Sequence, residues 1–230
     1  MSNSTPQPAA MAQPNLDQAR FNMVEQQIRT WEVLDSRVLD LLHTVPREKF
    51  VPAPYAGVAY ADTNVPLDDG QFMLPPRVVA RILQALQPKP MNRVLEIGTG
   101  SGYLTRLLAS LSAHVVSVEI SPTLHAQAAA RLKSQGIRNV TLVPGDGLHG
   151  WETDAPYDAI AFTGSVPEMD PAVQQQLKLG GRLFAIVGRS PAMHALLTTR
   201  VSANEWATTS LFETVVAPLT GAEEPRRFTL

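Results

Sequence analysis

Residues 93–103, RVLEIGTGSGY, constrain the fold more than any other stretch of this chain. Arg93 to Ile97 is a short apolar run that reads as a strand. Three glycines at alternate positions follow, and glycine reaches positive φ at no steric cost, so the backbone can turn tightly and approach a ligand closely. From Tyr103 to about residue 111 the apolar residues move to helical spacing. A strand that enters a helix through a glycine turn is the start of a βαβ unit.

The pattern then repeats. Residues 115–119 read as a strand, 122–135 as a helix, and 140–143, 158–162 and 182–187 as further strands. Strands alternating with helices of this length predict an α/β fold, a mostly parallel sheet wound on both faces. Residues 196–201 and 209–217 look strand-like and are expected to add antiparallel strands at one edge. Before residue 90 the texture is helical. Phe21, Val24, Ile28 and Trp31 recur at helical spacing from Leu16 onward, and Asp35 or Ser36 can cap a helix carrying Val38, Leu39, Leu41 and Leu42. Pro46, Pro52 and Pro54 break the pattern and 51–76 read as irregular. A third helix follows Pro76. Residues 1–14, rich in Pro, Gln, Ser and Ala, are expected to form a disordered tail. Residues 15–90 form an N-terminal helical cap with a loop that belongs to the same domain, and 91–230 form the core.

Composition excludes several classes of function. The 230 residues carry a net charge of −2, with 17% charged residues and no cysteine. Such a balance gives no general attraction to nucleic acid or anionic membrane. Without cysteine there are no disulfides or thiolate metal sites, which fits a cytoplasmic protein. No apolar run approaches the roughly 18–20 residues that span a bilayer. The histidines at 43, 114, 125, 149 and 194 lack metal-ligand spacing, so no metal is expected. His149 reads as a surface-loop residue, and Trp31, Trp151 and Trp206 as packing residues.

Ligands of open α/β sheets sit at the carboxyl ends of the strands. There the first core strand presents Glu96 ahead of Gly98, Gly100 and Gly102, the second ends in Glu119, and the third runs into Gly145-Asp146-Gly147. The spacing G-x-G-x-G differs from the G-x-G-x-x-G of dinucleotide sites. A carboxylate before the turn repels a pyrophosphate and suits a cationic amino-acid ligand. S-adenosylmethionine, with an ammonium, a sulfonium and no phosphate, matches. Glu119 is placed to bond ribose hydroxyls and Asp146 the adenine amino group, with Ile120 and Leu148 flanking the ring.

VLEIGTGSGY (94–103), VVSVEI (115–120), GDG (145–147) and LKLGGRLFAIVG (177–188) resemble a class I S-adenosylmethionine-dependent methyltransferase. MVEQQI (23–28), VLDLLHTVPREKFVP (38–52), YADTNVPLDDGQ (60–71) and the VPEM turn narrow this. They resemble the protein-L-isoaspartate O-methyltransferase family over about residues 18–230. The resemblance implies a seven-stranded, doubly wound Rossmann-like sheet and a cofactor pocket on Glu96, Gly98, Thr99, Gly100, Gly102, Tyr103, Glu119, Ile120, Asp146, Gly147 and Leu148. It implies methyl transfer to an isoaspartyl carboxylate of an aged protein or peptide.

One segment departs from the family. Where its members read Gly-Gln-Thr-Ile-Ser-x-Pro, this chain reads Gly70-Gln71-Phe72-Met73-Leu74-Pro75-Pro76, so both hydroxyls are gone. In the family this loop covers the cofactor's methyl group and touches the substrate carboxylate. Three readings follow: a carboxyl methyltransferase using Gln71 or backbone donors instead; a methyltransferase for a different, more apolar acceptor that packs on Phe72, Met73 and Leu74; or a cofactor-binding module without catalysis. The expected acceptor is an isoaspartyl protein or peptide, or a small molecule. Thr163 and Ser165, beyond the fourth strand, are candidate substitute donors.

Overall fold

The computed structural model describes residues 15–222; the tail expected over 1–14 lies outside them. A seven-stranded sheet forms the centre. Its strands are β3 (Arg93–Ile97), β4 (His114–Glu119), β5 (Val140–Pro144), β6 (Tyr157–Val166), β7 (Leu177–Arg189), β8 (Ala192–Ser202) and β9 (Glu205–Glu213). In space they run β5-β4-β3-β6-β7-β8-β9. β3 to β7 are parallel, and β8 and β9 close one edge antiparallel. The chain leaves β3 toward β5, then returns to the other side of β3 as β6. That reversal opens a crevice at the carboxyl ends of β3, β4 and β6.

Alternation along β3 sorts its side chains between two cores. Val94 joins a cluster with Val79, Leu83 and Phe184, while Leu95 and Ile97 join Val116, Ile160 and Phe162 on the opposite face. The helices α4 (Tyr103–Leu111) and α5 (Pro122–Ser134) follow β3 and β4, and the short α6 (Pro171–Gln175) follows β6. In the cap, α1 (Leu16–Asn22) runs on into the stretch Met23–Ile28, which with α2 (Ser36–Thr44) and α3 (Pro76–Leu86) supplies Met23, Ile28, Leu42 and Ile82 to the first cluster. α3 starts as its prolines dictate, because Pro76 needs no N–H at the first helical position. It buries Val78, Val79, Ile82, Leu83 and Leu86, about 1.5–3 kcal/mol each. Trp31 fastens the cap to the sheet: the Arg77 guanidinium lies 4.1 Å from its ring centroid and Phe212 of β9 meets its edge at 5.5 Å.

Three expectations change in detail. The first helix is regular only to Asn22; residues Met23–Ile28 widen to a π-helix before a 3₁₀ turn. Its buried residues are Met23, Val24 and Ile28, and a five-residue repeat stacks Met23 and Ile28 on one side. Within the supposedly irregular 51–76, β1 (Val65–Pro66) and β2 (Phe72–Met73) pair as a small hairpin. Finally, the last strand ends at Glu213. Thr214 keeps one bond to Met193 O of β8, and from Val216 on the chain leaves the sheet, its backbone bonded to Ser165 over the crevice.

Candidate active site

At the tip of β3, Gly98, Gly100 and Gly102 all have positive φ, at 89°, 53° and 83°. The close fit is steepest at Gly98, where a Cβ would stand 2.3 Å from Oγ1 of Thr163. Thr163 is brought there by an irregularity in β6. Register with β7 slips between Ala161 and Ser165, turning the Thr163 side chain toward the turn. Its hydroxyl donates to the carbonyls of Ile97 and Gly98, at 3.0 and 2.7 Å. Thr163 therefore holds the glycine turn, and its proton is committed.

The acids divide by environment. Glu119 ends β4 and accepts N–H bonds from Gly100 (2.8 Å) and Ser121 (2.9 Å), which lock the turn to the neighbouring strand. Asp146 accepts from the Leu148 N–H at 2.9 Å in a turn that lies directly on Ile97; a Cβ at Gly147 would stand 2.8 Å from the Ile97 Cδ1. Glu96 is different. It is 0% exposed, and one oxygen, Oε2, accepts from Thr105 Oγ1 (2.5 Å) and Ser117 Oγ (2.6 Å). The other oxygen, Oε1, has no partner. Burial pushes its carboxyl up to about 8, against the opposing pull of those two hydroxyls, and Glu119 adds repulsion. The folded protein thus holds a proton that the unfolded chain releases above about 4.5. Stability is expected to fall as pH rises from there to about 8. Denaturant melts of wild type and Glu96→Gln should show this loss only in wild type; parallel pH profiles would contradict it.

Ser165 is not in the site as a donor. It is 1% exposed and its hydroxyl donates to the Val216 carbonyl at 3.2 Å. Its backbone pairs on both sides with the segment after β9, Ser165 N–H to Ala217 O and Leu219 N–H to Ser165 O, both 3.0 Å. What Ser165 does is hang residues 216–220 across the crevice as a wall. Sequence reasoning missed that wall. The Pro-Leu-Thr-Gly punctuation at 218–221 was its only signal. Tyr103 is likewise buried away from the main cleft, against a smaller inner chamber that also touches Glu96 and Thr99. His149 lies outside, on the surface with Asp170, whose hydrogen bond raises it above the usual histidine range.

The loop over the crevice answers why a turn carries Phe72, Met73 and Leu74. Met73 and Leu74 point into the core, Leu74 being only 8% exposed, while Phe72 is 47% exposed on the cleft side. Behind them lies Arg47, 0% exposed, whose Nε donates to Ala59 O and Nη2 to Leu74 O, each at 2.8 Å. Its guanidinium stands 5.0 Å from the Tyr103 ring centroid. In front, the side chains of Asp68 and Asp69 accept from Gln127 and Ser121 of the α5 end, and Gln71 Nε2 donates to Thr220 Oγ1 at 3.3 Å. The loop is thereby a lid tied to both walls. Asp69→Ala removes one tie and relieves no need for its positive φ of 55°. It is expected to loosen the lid and weaken ligand affinity about three- to tenfold, from one lost charge-assisted bond. Unchanged calorimetric affinity would show that this tie does not hold the lid.

The resulting cleft is open to solvent on one side and offers ≈ 710 Å³ of empty space when its mouth is counted. Of the predicted residues it is lined by Gln71, Leu74, Gly98, Gly100, Glu119, Ile120, Asp146, Gly147, Leu148 and Thr163; Glu96 and Thr99 face the inner chamber, and Gly102 starts α4. Asn64, Leu67 and Leu219 were not foreseen. No Lys, Arg or His is among the described lining residues, while Glu119 and Asp146 are. Such walls accept a cationic ligand with hydroxyl and amino donors, and repel phosphates. Among the described residues no cluster of three or more His, Asp or Glu can hold a metal ion, and no helix is long and apolar enough to cross a membrane.

Residues 18–224 match the family model described as protein-L-isoaspartate(D-aspartate) O-methyltransferase. A protein-L-isoaspartate O-methyltransferase of Koribacter versatilis is 41% identical over 206 residues, covering 90% of this chain and 91% of the relative. One from Methanoculleus marisnigri is 44% identical over 169 residues, 74% and 77% of the two chains. Among solved structures, a protein-L-isoaspartate O-methyltransferase superposes with TM-score 0.72 at 27% identity; the match covers 87% of this chain and 65% of that longer one. A Plasmodium falciparum structure named for the same activity, in complex with S-adenosyl-L-homocysteine, shares the fold with TM-score 0.73 at 20% identity, covering 90% and 99%.

Proposed function

The chain belongs to the protein-L-isoaspartate(D-aspartate) O-methyltransferase family, and from that premise we propose that it transfers a methyl group from S-adenosylmethionine to the carboxylate of isoaspartyl residues in proteins or peptides. The observation that carries the reading is the acid-walled cleft at the sheet's switch point, with no cation among its described lining residues and covered by a lid bearing Gln71. The residues fit the cofactor. The Glu96 oxygen without a partner, the turn in which a Cβ at Gly98 has no room, and the Glu119 and Asp146 carboxylates match its ammonium, its backbone contacts and its ribose and adenine donors. When bound, it supplies an activated methyl group on a sulfonium.

The chain's own task is to orient. An isoaspartyl carboxylate has an unperturbed pKa of about 4 and is ionised at neutral pH, so no general base is needed. Rate comes from holding it in line and dry. With the Thr163 and Ser165 hydroxyls bonded to backbone carbonyls, the side-chain donors left among the described lining residues are the amides of Gln71 and Asn64 and the hydroxyl of Thr220. Gln71 sits on the lid and keeps one amide hydrogen beyond its bond to Thr220, so it is the proposed carboxylate clamp. Gln71→Ala is expected to lower kcat/KM for an isoaspartyl peptide about 10–100-fold, a charge-assisted bond of roughly 1.5–3 kcal/mol. A change under twofold would remove Gln71 from this role.

Phe72 favours a narrower version, in which the residue beside the accepting carboxylate is apolar and packs on the exposed ring. Phe72→Thr restores one of the family's hydroxyls without opening the core, whereas Leu74→Ser would also create a cavity. The division into a cap through residue 90 and a cofactor-binding core after it, and a cytoplasmic setting, belong to the same proposal. Methylation of an isoaspartyl peptide with a labelled donor tests it: label released as methanol by mild base is expected, and no label on the peptide would refute it.

A further inference from the structure

The inner chamber behind the glycine turn contains a carboxyl group that nothing balances. Glu96 and Tyr103 both line it, both are buried, and each keeps a polar atom unpartnered, Oε1 and the phenolic oxygen. The chamber adjoins the main cleft, sharing Gly98, Gly100, Phe72, Leu74 and Thr163 with it. Groups around Glu96 come from four elements. β4 brings Ser117 and Glu119, α4 brings Thr105 and Tyr103, the turn brings Thr99, and Arg47 of the cap stands over the Tyr103 ring. Thr99 and Ser117, 2.6 Å apart, form a hydroxyl relay ending on Oε2, and Thr105 donates to the same oxygen directly. Among the described residues no cation contacts the carboxyl, and the other acid, Glu119, repels it.

We propose that Glu96 is a proton-linked counter-ion: neutral in the free protein, ionised when the ammonium end of the cofactor enters the inner chamber, so that binding expels one proton to solvent. The proposal rests on the cofactor reading above and adds the charge state to it. Oε2 is occupied as acceptor by two hydroxyls, which leaves Oε1 to carry the proton and to meet the incoming cation. Only O–H bond breaking at Glu96 is required, and the released proton goes to the buffer. An uncompensated carboxylate as fully buried as Glu96 is strongly disfavoured, and a partner charge removes most of that penalty. The raised carboxyl described above agrees with this arrangement.

The consequence is a pH-dependent affinity of definite sign. Below about pH 8 the group must be deprotonated on binding, so affinity is expected to rise close to tenfold per pH unit, levelling off above. Titration calorimetry with S-adenosylhomocysteine at pH 7, in phosphate and in Tris, counts the protons exchanged. Wild type should release about one more proton per ligand than Glu96→Gln, because any titration of the ligand's own amine is common to both. Equal proton counts would overturn the proposal. Absence of binding by wild type would instead overturn the cofactor reading. If the variant does not fold, infrared difference spectra of wild type decide. A protonated carboxyl band lost on adding the ligand supports the proposal, and a band that persists or never existed refutes it.

Discussion

An alanine at position 98 is expected to lower affinity for S-adenosylhomocysteine by about 30-fold or more. Two effects add. Alanine at a φ of 89° costs about 1–2 kcal/mol, and its Cβ would overlap Thr163 Oγ1 at 2.3 Å, an overpacking of roughly 1–3 kcal/mol. Neither can relax locally, because the Thr163 hydroxyl is fixed to the carbonyls on either side of the β3 end and the Gly98 N–H is bonded to Val118 O at 2.9 Å. The turn must therefore shift, and the Gly100 N–H bond to Glu119 shifts with it. Thr163→Ala in the same chain removes the oxygen and leaves the backbone strain and a 3.1 Å contact with Leu219 Cδ2. The double variant should then bind more tightly than the two single losses predict, with a coupling of about 0.5–3 kcal/mol. Affinity of Gly98→Ala within threefold of wild type would mean that the turn is not the ligand's seat.

Arg47→Ala should be the most destabilising single change outside the cleft. It strands the carbonyls of Ala59 and Leu74, both bonded to this side chain at 2.8 Å, and leaves a cavity against Tyr103. Each unsatisfied buried acceptor costs about 1–3 kcal/mol and truncation of a large buried side chain about 2–5, so a combined loss of 4 kcal/mol or more is expected. Thermal melting should fall by roughly 10 °C or more for a chain of this size. Arg47→Lys keeps the charge yet cannot reach two carbonyls with one fork, and should recover less than half of the loss. Because Leu74 O is one of those carbonyls, the lid loses its anchor from behind, and the Gln71–Thr220 contact is expected to loosen in step. A melting point within 2 °C of wild type would show that the buried guanidinium is dispensable.

Much of this was legible from residue order, and the reasons are local. The glycine turn and its flanking strand and helix declare themselves because positive φ at alternate positions leaves few alternatives to glycine. Glu119 and Asp146 fell where the strand ends put them. The substitution of the lid hydroxyls by Phe72 and Leu74 was visible too, but not its meaning: the sequence places three apolar residues in a row, and it is the hairpin of β1 and β2 that turns Phe72 outward and Met73 inward, while the Arg47 bond to its carbonyl holds Leu74 against the core. Ser165 and Thr163 looked like free hydroxyls because the slip in β6 and the returning segment 216–220 are long-range features. No period or spacing announces a chain segment that leaves the sheet to pair with a strand about fifty positions earlier. Arg47 was invisible for a related reason. A charged residue among prolines reads as exposed, and the two carbonyls that bury it come from 12 and 27 positions away.

The account stands on methyl transfer to an isoaspartyl carboxylate, and a pair of peptides identical except for one isoaspartyl or aspartyl linkage tests it directly. With labelled S-adenosylmethionine, the isoaspartyl peptide is expected to gain a base-labile methyl group and its aspartyl twin essentially none, at neutral pH and without added metal. Label on both alike, or on neither while S-adenosylhomocysteine still binds, would contradict it.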